Sequence, residues 1–250
     1  MEILQAPLAQ DYAQYTPEDH RIWHLLFSRQ MELLPHRASQ IYLDGIPSAG
    51  FTADRIPHFD EDVTPKLRAL TGWSIGVVPG LIEPYAFFRM LAERVFPAST
   101  WLRTEAQLDY LEEPDMFHDT FGHIPLLTNG SFCDFLAQFS AISLRYLDHP
   151  TCLEQIRRLY WYTVEFGLIR ESGQVKIYGG GILSSPGESV YSLTSNEPKR
   201  VNFSIEEIVE TSIKIDEYQK KYFIIDSYEQ LVDCLPALES LLHQTYQTPS

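Results

Sequence analysis

The sequence predicts a mainly α-helical fold with a small β component, formed as one domain. Helix starts are legible at several points through caps, first-turn prolines and apolar residues at helical spacing. Strand-like runs are few and short, and no Pro/Gly/Ser-rich linker, repeat or low-complexity run divides the 250 residues.

In chain order, the first helix opens at "TPEDHRIWHLLFSRQMELL", with Thr16 as N-cap, Pro17 at the first helical position and Glu18 and Asp19 in the first turn. A second opens at Thr64-Pro65 and stops near Gly72. A third runs from Glu83-Pro84 through "YAFFRMLAERVF" to a break at Pro97. "SFCDFLAQFSAISLRYL" predicts a helix ending before His149-Pro150. Thr151 and Glu154 then form a capping-box pattern that opens "CLEQIRRLYWYTVEFGLIR", and similar boxes stand at Ser204 with Glu207 and at Ser227 with Gln230. Strands are expected at 73–78, 175–179, 190–193 and 222–225. The single domain is expected to span 1–250, with its core at about 16–235.

Composition narrows the function. The net charge of -15 sets the surface against phosphate backbones and anionic lipid, so neither nucleic acid nor a membrane surface is expected as a partner. An aromatic content of 13% leaves room for a pocket lined with rings. The three cysteines, Cys133, Cys152 and Cys234, form no CxxC pair and no even set, which argues against a disulfide framework and for a reducing compartment. The first residues carry no basic n-region and no long apolar run, and no stretch reaches the length of a membrane span. A soluble, cytoplasmic protein is expected.

Two histidine pairs invite a metal. His20 and His24 share a helix face, but no acid or cysteine cluster belongs with them, and an exposed face is the simpler reading. His118 and His123, in "EEPDMFHDTFGH", lie five residues apart, roughly 140° around an α-helix. They converge only if the helix bends between them, and Gly122 is the residue that permits a break. Spacing alone favours two satisfied polar histidines near a helix end. Glu165 shifts the balance, because an acid set in "YWYTVEFGL" is costly unless paired or bound to a cation. Two histidines and one carboxylate are the donor set of a facial triad with open positions on iron. A buried salt bridge from Glu165 to Arg157, Arg158 or Arg170 is the competing account.

The segments "LDYLEEPDMFHDTFGHIPLLTN", "YWYTVEFGLI" and "IYGGGILSSPGES" resemble the pterin-dependent aromatic amino acid hydroxylases, especially their short bacterial phenylalanine-hydroxylating branch, and the likeness runs from about residue 20 to about residue 230. The resemblance implies a mainly helical catalytic domain that holds Fe(II) through His118, His123 and Glu165. It implies hydroxylation of an aromatic amino acid by O2, with tetrahydrobiopterin or a related tetrahydropterin as co-substrate and pterin-recycling enzymes as functional partners.

By the same resemblance, Arg103 matches the arginine that pairs with the substrate carboxylate, and Asp115 the acid that holds it. Pro114, Trp161 and Phe166 match positions around the substrate ring, with Gly181, Ser184 and Ser185 on the pocket loop. Gly80, Leu81 and Ile82 match the backbone that binds the pterin edge, and Phe87 the ring that stacks on it. Asp119 and Tyr160 match pterin-side positions. Leu111 departs from the threonine of animal members, so a hydroxyl contact with substrate is absent there. No regulatory domain or tetramerising helix matches, so a monomer without allosteric activation is expected.

The activity implied is phenylalanine 4-monooxygenation, giving tyrosine. A phenylalanine 3-hydroxylase or a tryptophan 5-hydroxylase would keep the same ligands and differ in pocket contacts worth about 1–3 kcal/mol. A metal-binding sensor or scaffold without turnover is the alternative from another class. A zinc hydrolase is disfavoured by the lack of an HExxH arrangement.

Overall fold

The computed structural model describes residues 8–109, 111 and 113–247, so Glu112 of the histidine motif lies outside the described residues. Helix α1 (Pro17–Leu33) starts as its sequence predicts. Thr16 Oγ1 accepts from the Asp19 N–H, and the Asp19 carboxylate accepts from the Thr16 N–H. The helix buries Ile22, Trp23, Leu26 and Phe27. Helix α2 (Gln40–Ala49) was not expected, because Gly45 and Pro47 disguise it. Gly45 serves a close approach: a Cβ there would lie 2.1 Å from the Pro125 carbonyl oxygen.

Helix α3 (Thr64–Leu70) is preceded by a π turn, Phe59–Val63, so the helical segment begins upstream of Thr64-Pro65. It stops at Thr71 and Gly72, as expected. Strand β1 (Ser74–Val77) pairs in parallel with β2 (Val95–Ala98), and α4 (Pro84–Ala92) makes the crossover between them. Helix α4 therefore ends before the predicted break at Pro97, which sits inside a two-stranded sheet, where proline is tolerated.

Helices α5 (Gly130–Ser143) and α6 (Pro150–Tyr160) follow. The cap of α6 is His149, whose Nδ1 accepts from the Cys152 N–H, with Pro150 at the first helical position. The Thr151–Glu154 box predicted there does not form the start. The helix also ends earlier than expected. It widens into a π turn, Trp161–Glu165, and the chain leaves as β3 (Leu168–Glu171), which forms a hairpin with β4 (Gln174–Ile177). Gly167 marks the exit, since a Cβ there would collide with the Tyr178 ring.

A short helix α7 (Gly180–Leu183) leads to α8 (Pro186–Thr194), which contains the predicted strand 190–193. The Ser185 cap and Pro186 start a helix, which buries Glu188, Ser189 and Ser192 and packs on α1. Strand β5 (Lys199–Asn202), helix α9 (Ile205–Glu210) and strand β6 (Lys221–Ile225) complete a sheet in the order β4-β3-β6-β5. Ser204 caps α9 as expected, accepting from the Glu207 N–H. The box expected at Ser227 with Gln230 does not cap helix α10 (Glu229–Asp233): its N-cap is Tyr228, which makes no side-chain cap bond, and the Gln230 side chain accepts from the Asp226 N–H. Helix α11 (Leu235–Tyr246) carries buried Leu238 and Leu242, so buried side chains continue past residue 235. The three cysteines are free and buried.

One buried acid gives the fold a pH dependence. Glu188 of α8 accepts through Oε1 from the Tyr222 hydroxyl at 2.6 Å and from the Gln219 N–H at 3.2 Å. Burial raises its pKa above the ordinary 4.5, against the two hydrogen bonds. Below that ordinary value the group is neutral whether the chain is folded or unfolded. Above it the unfolded chain gains from ionisation that the folded chain resists, so this group's contribution lowers stability as pH rises from about 4.5 through the folded pKa. Glu188→Gln keeps the acceptor and removes the titration. Urea unfolding at stepped pH is expected to show a flatter fall in stability above pH 4.5 for the variant than for the parent chain.

Candidate metal centre and its cavity

His118–His123 is a π turn, and this changes how the two histidines meet. In an i→i+5 turn, residues five apart return to nearly the same face, whereas an α turn would separate them. Gly122 does not break the helix, as its sequence position suggested. It lies within the continuous turn, and its bare Cα lets α7 approach: a Cβ there would sit 2.7 Å from the Gly180 carbonyl oxygen. Glu165 ends the π turn Trp161–Glu165, closed by the Phe166 N–H donating to the Trp161 carbonyl at 2.8 Å.

The three side chains converge. His123 Nε2 lies 3.2 Å from His118 Nε2 and 3.3 Å from Glu165 Oε1, and His118 Nε2 lies 3.6 Å from Glu165 Oε2. One ligand atom from each falls within 4.8 Å of the others, a set that suits one ion. Among the described residues this is the group of histidine, cysteine and acid side chains so arranged. His20 and His24 do not join one. His24 Nδ1 lies 3.2 Å from the Ala53 carbonyl oxygen, and His20 packs edge-on against Tyr12 and Tyr15.

The salt-bridge account of Glu165 fails on the same geometry. Arg157 and Arg158 pair with Glu154, and Arg170 pairs with Asp226. Burial alone would push the Glu165 carboxyl up, but His123 and His118 together hold it at about 2. Burial pushes the His118 imidazole down, toward the neutral form that ligates metal. Ser184 sets its tautomer. The Ser184 hydroxyl lies 2.9 Å from the Gly180 carbonyl oxygen, which only accepts, so Oγ receives the Nδ1–H of His118 at 2.9 Å. The Nε2 lone pair is left facing the centre.

A cavity of about 300 Å³ opens over these ligands. Gly80, Leu81, Ile82, Phe87, Asp119 and Tyr160 line it, as do Pro114 and Trp161. Phe87 and Tyr160 meet edge to face at 5.3 Å, and Asp119 accepts from the Ser99 N–H at 2.8 Å. Phe166 stands behind Trp161, with ring centroids 4.6 Å apart. Arg103 and Asp115 form a buried bidentate pair, at 2.8 Å through Nε and 2.7 Å through Nη2. Asp115 also accepts from the His118 N–H at 3.1 Å, which joins this pair to the metal turn. Gly181 packs against Glu165 and Phe166, and Ser185 spends its hydroxyl on the start of α8.

Several lining residues escaped the sequence. Phe96 of β2 faces the His123 ring at 5.3 Å, and Ile213 reaches the cavity from the segment after α9. Gly180 stands in the middle of the three glycines of "IYGGGILSSPGES". A Cβ on it would lie 2.4 Å from His123 Cε1, so the run signals close approach to the metal turn.

The model of the biopterin-dependent aromatic amino acid hydroxylases matches residues 8–248. The chain belongs to this family. It is 48% identical over 226 residues to the phenylalanine-4-hydroxylase of Chromobacterium violaceum, covering 90% of this chain and 75% of that one. Against the corresponding enzyme of Ralstonia nicotianae the identity is 47%, covering 90% and 72%. The C. violaceum structure with bound oxidised Fe(III) superposes with a TM-score of 0.92 at 46% identity, over 96% of this chain and 86% of that one. Another, with iron(III) and 7,8-dihydrobiopterin, gives 0.90 at 46% identity, over 95% and 86%. As a member, this hydroxylase is a pterin-dependent non-haem iron monooxygenase.

Ser184→Ala removes the acceptor that orients His118 while leaving all three ligands. Iron affinity is expected to fall on the order of 10–100-fold. Titration of the apo chain with ferrous iron checks this, with circular dichroism showing a retained fold.

Proposed function

We propose that this hydroxylase converts L-phenylalanine to L-tyrosine, taking one oxygen atom of O2 into the ring and placing the other on the tetrahydropterin as a 4a-hydroxyl. The observation that carries the proposal is the joining of the His118–His123–Glu165 set, through Asp115, to the buried Arg103, with Pro114, the neighbour of Asp115, lining the aromatic cavity over the same three ligands. Phenylalanine-4-hydroxylases at 47% and 48% identity support the choice of substrate.

In this proposal His118, His123 and Glu165 hold the iron. When bound, the reduced pterin would supply two electrons and ferrous iron would activate O2, which is the source of the oxygen atom placed on the ring. Phe87 and Tyr160 offer ring faces to the pterin, the backbone of Gly80, Leu81 and Ile82 meets its polar edge, and Asp119 stands on the same side. Asp115 fixes the Arg103 guanidinium so that it receives the substrate carboxylate, a task suited to a planar fork. Pro114, Trp161 and Phe166 confine the ring, and Gly181 keeps the pocket loop close to Glu165. Ser184 acts through His118, and Ser185 acts by starting α8. Confinement excludes water and presents the ring in one orientation.

The chain acts as a single catalytic domain, monomeric and cytoplasmic, with separate enzymes recycling the pterin. Its net charge of -15 supports a freely soluble form, and no helix among the described residues is long and apolar enough to cross a membrane.

Incubation with ferrous iron, O2, reduced pterin and phenylalanine is expected to give para-tyrosine, resolved by chromatography from meta-tyrosine. Meta-tyrosine as the main product, or faster formation of 5-hydroxytryptophan from tryptophan, would replace this assignment with one of its close relatives. Absence of any hydroxylated product would point to a binding protein. Arg103→Lys loses the planar fork. It is expected to raise the KM for phenylalanine at least about tenfold, in line with the 1.5–3 kcal/mol of a charge-assisted hydrogen bond, and to leave the pterin KM near its original value.

A further inference from the structure

Gln219 lies outside the cavity, yet it holds two parts of its wall. It is 2% exposed and sits at the end of an irregular segment between α9 and β6. Its Oε1 accepts from the Trp161 indole N–H at 3.0 Å, and its Nε2 donates to the Lys214 carbonyl at 2.8 Å. Its own N–H donates to Glu188 of α8, which the Tyr222 hydroxyl also binds. Trp161 and Ile213, the neighbour of Lys214, both line the cavity.

We propose that Gln219 is a positioning residue that sets the angle of the Trp161 ring and the seat of the 211–219 segment, and thereby the placement of the substrate ring over the iron. The proposal rests on the reading of Trp161 as a wall of the substrate-ring subsite. An indole has one donor, directed in the plane of its ring, so one hydrogen bond defines a rotation that packing against Phe166 alone leaves freer. Gln219 has little freedom of its own. Its amide oxygen, amide nitrogen and backbone N–H are each paired, and any shift strands a buried polar group. The Trp161 wall and the Ile213 rim are thus held in one register from behind, with Glu188 and Tyr222 as the fixed support.

The test compares Gln219→Met, which keeps volume and removes the acceptor, with Trp161→Phe, which removes the donor, and with the double variant. Each is assayed for the KM of phenylalanine and of pterin, for bound iron, and for tyrosine formed per pterin oxidised. Gln219→Met is expected to raise the phenylalanine KM and lower the tyrosine-to-pterin ratio, each by about threefold to tenfold, the scale of one net hydrogen bond. Pterin KM and bound iron stay unchanged, and the double variant is less impaired than the sum of the two single variants. Gln219→Asn is one methylene too short to span the Trp161 indole and the Lys214 carbonyl, and it is expected to shift the phenylalanine KM and the coupling in the same direction as Gln219→Met.

A Gln219→Met enzyme with unchanged phenylalanine KM and coupling, or effects that add to those of Trp161→Phe, would overturn the proposal while leaving the Trp161 assignment intact. A silent Trp161→Phe would overturn both. If Gln219→Met does not fold, Gln219→Asn decides: a phenylalanine KM and coupling equal to those of the parent enzyme overturn the proposal.

Discussion

The centre depends on how closely α7 approaches the π turn that carries His118 and His123. Gly122 and Gly180 face one another with no room for a Cβ on either, and Gly180 lies directly against the His123 imidazole. This contact supports a turn that backbone hydrogen bonding alone rarely sustains. It also brings Ser184 within reach of His118 and Gly181 against Glu165. Two wide turns and one glycine-rich helix therefore fix all three ligands, and Tyr42 adds a hydrogen bond from behind to the Phe121 carbonyl at 2.6 Å.

Electrostatics then makes the cluster tolerable. A buried carboxylate facing two imidazoles is held ionised, and the nearby arginines are occupied elsewhere. Asp115 plays two parts: it neutralises Arg103, and it caps the N–H of His118 at the entry to the metal turn. An anion-binding group and a metal-binding group are thereby held at a set separation by one buried acid. Glu188 belongs to a separate polar cluster, tied to Tyr222 and Gln219 behind the cavity wall.

Local signals served the reading well where structure was local. Thr16 and Pro17 started α1, Ser204 capped α9, and Gly72 ended α3, because caps are settled by residues three or four positions away. Errors fell where distant packing decided. Residues 190–193 have a strand-like composition but sit in a helix that the Ser185 cap starts and that packs on α1. The long helix predicted through Arg170 stops at Glu165, where Gly167 passes under the Tyr178 ring.

By itself the sequence determined the ligand types, the acidic surface, the mainly helical class and the motifs that resemble the hydroxylase family. Their chemistry is carried by side-chain identity, which needs no coordinates. Only the tertiary structure decided that Gly122 is a contact point and not a break, that Phe96 and Ile213 face the cavity, and that Gln219 stands behind Trp161. The physical reason is separation along the chain. A π turn, a parallel strand pair and a buried amide hub are each stabilised by partners tens of residues away, and no local pattern encodes which partner arrives.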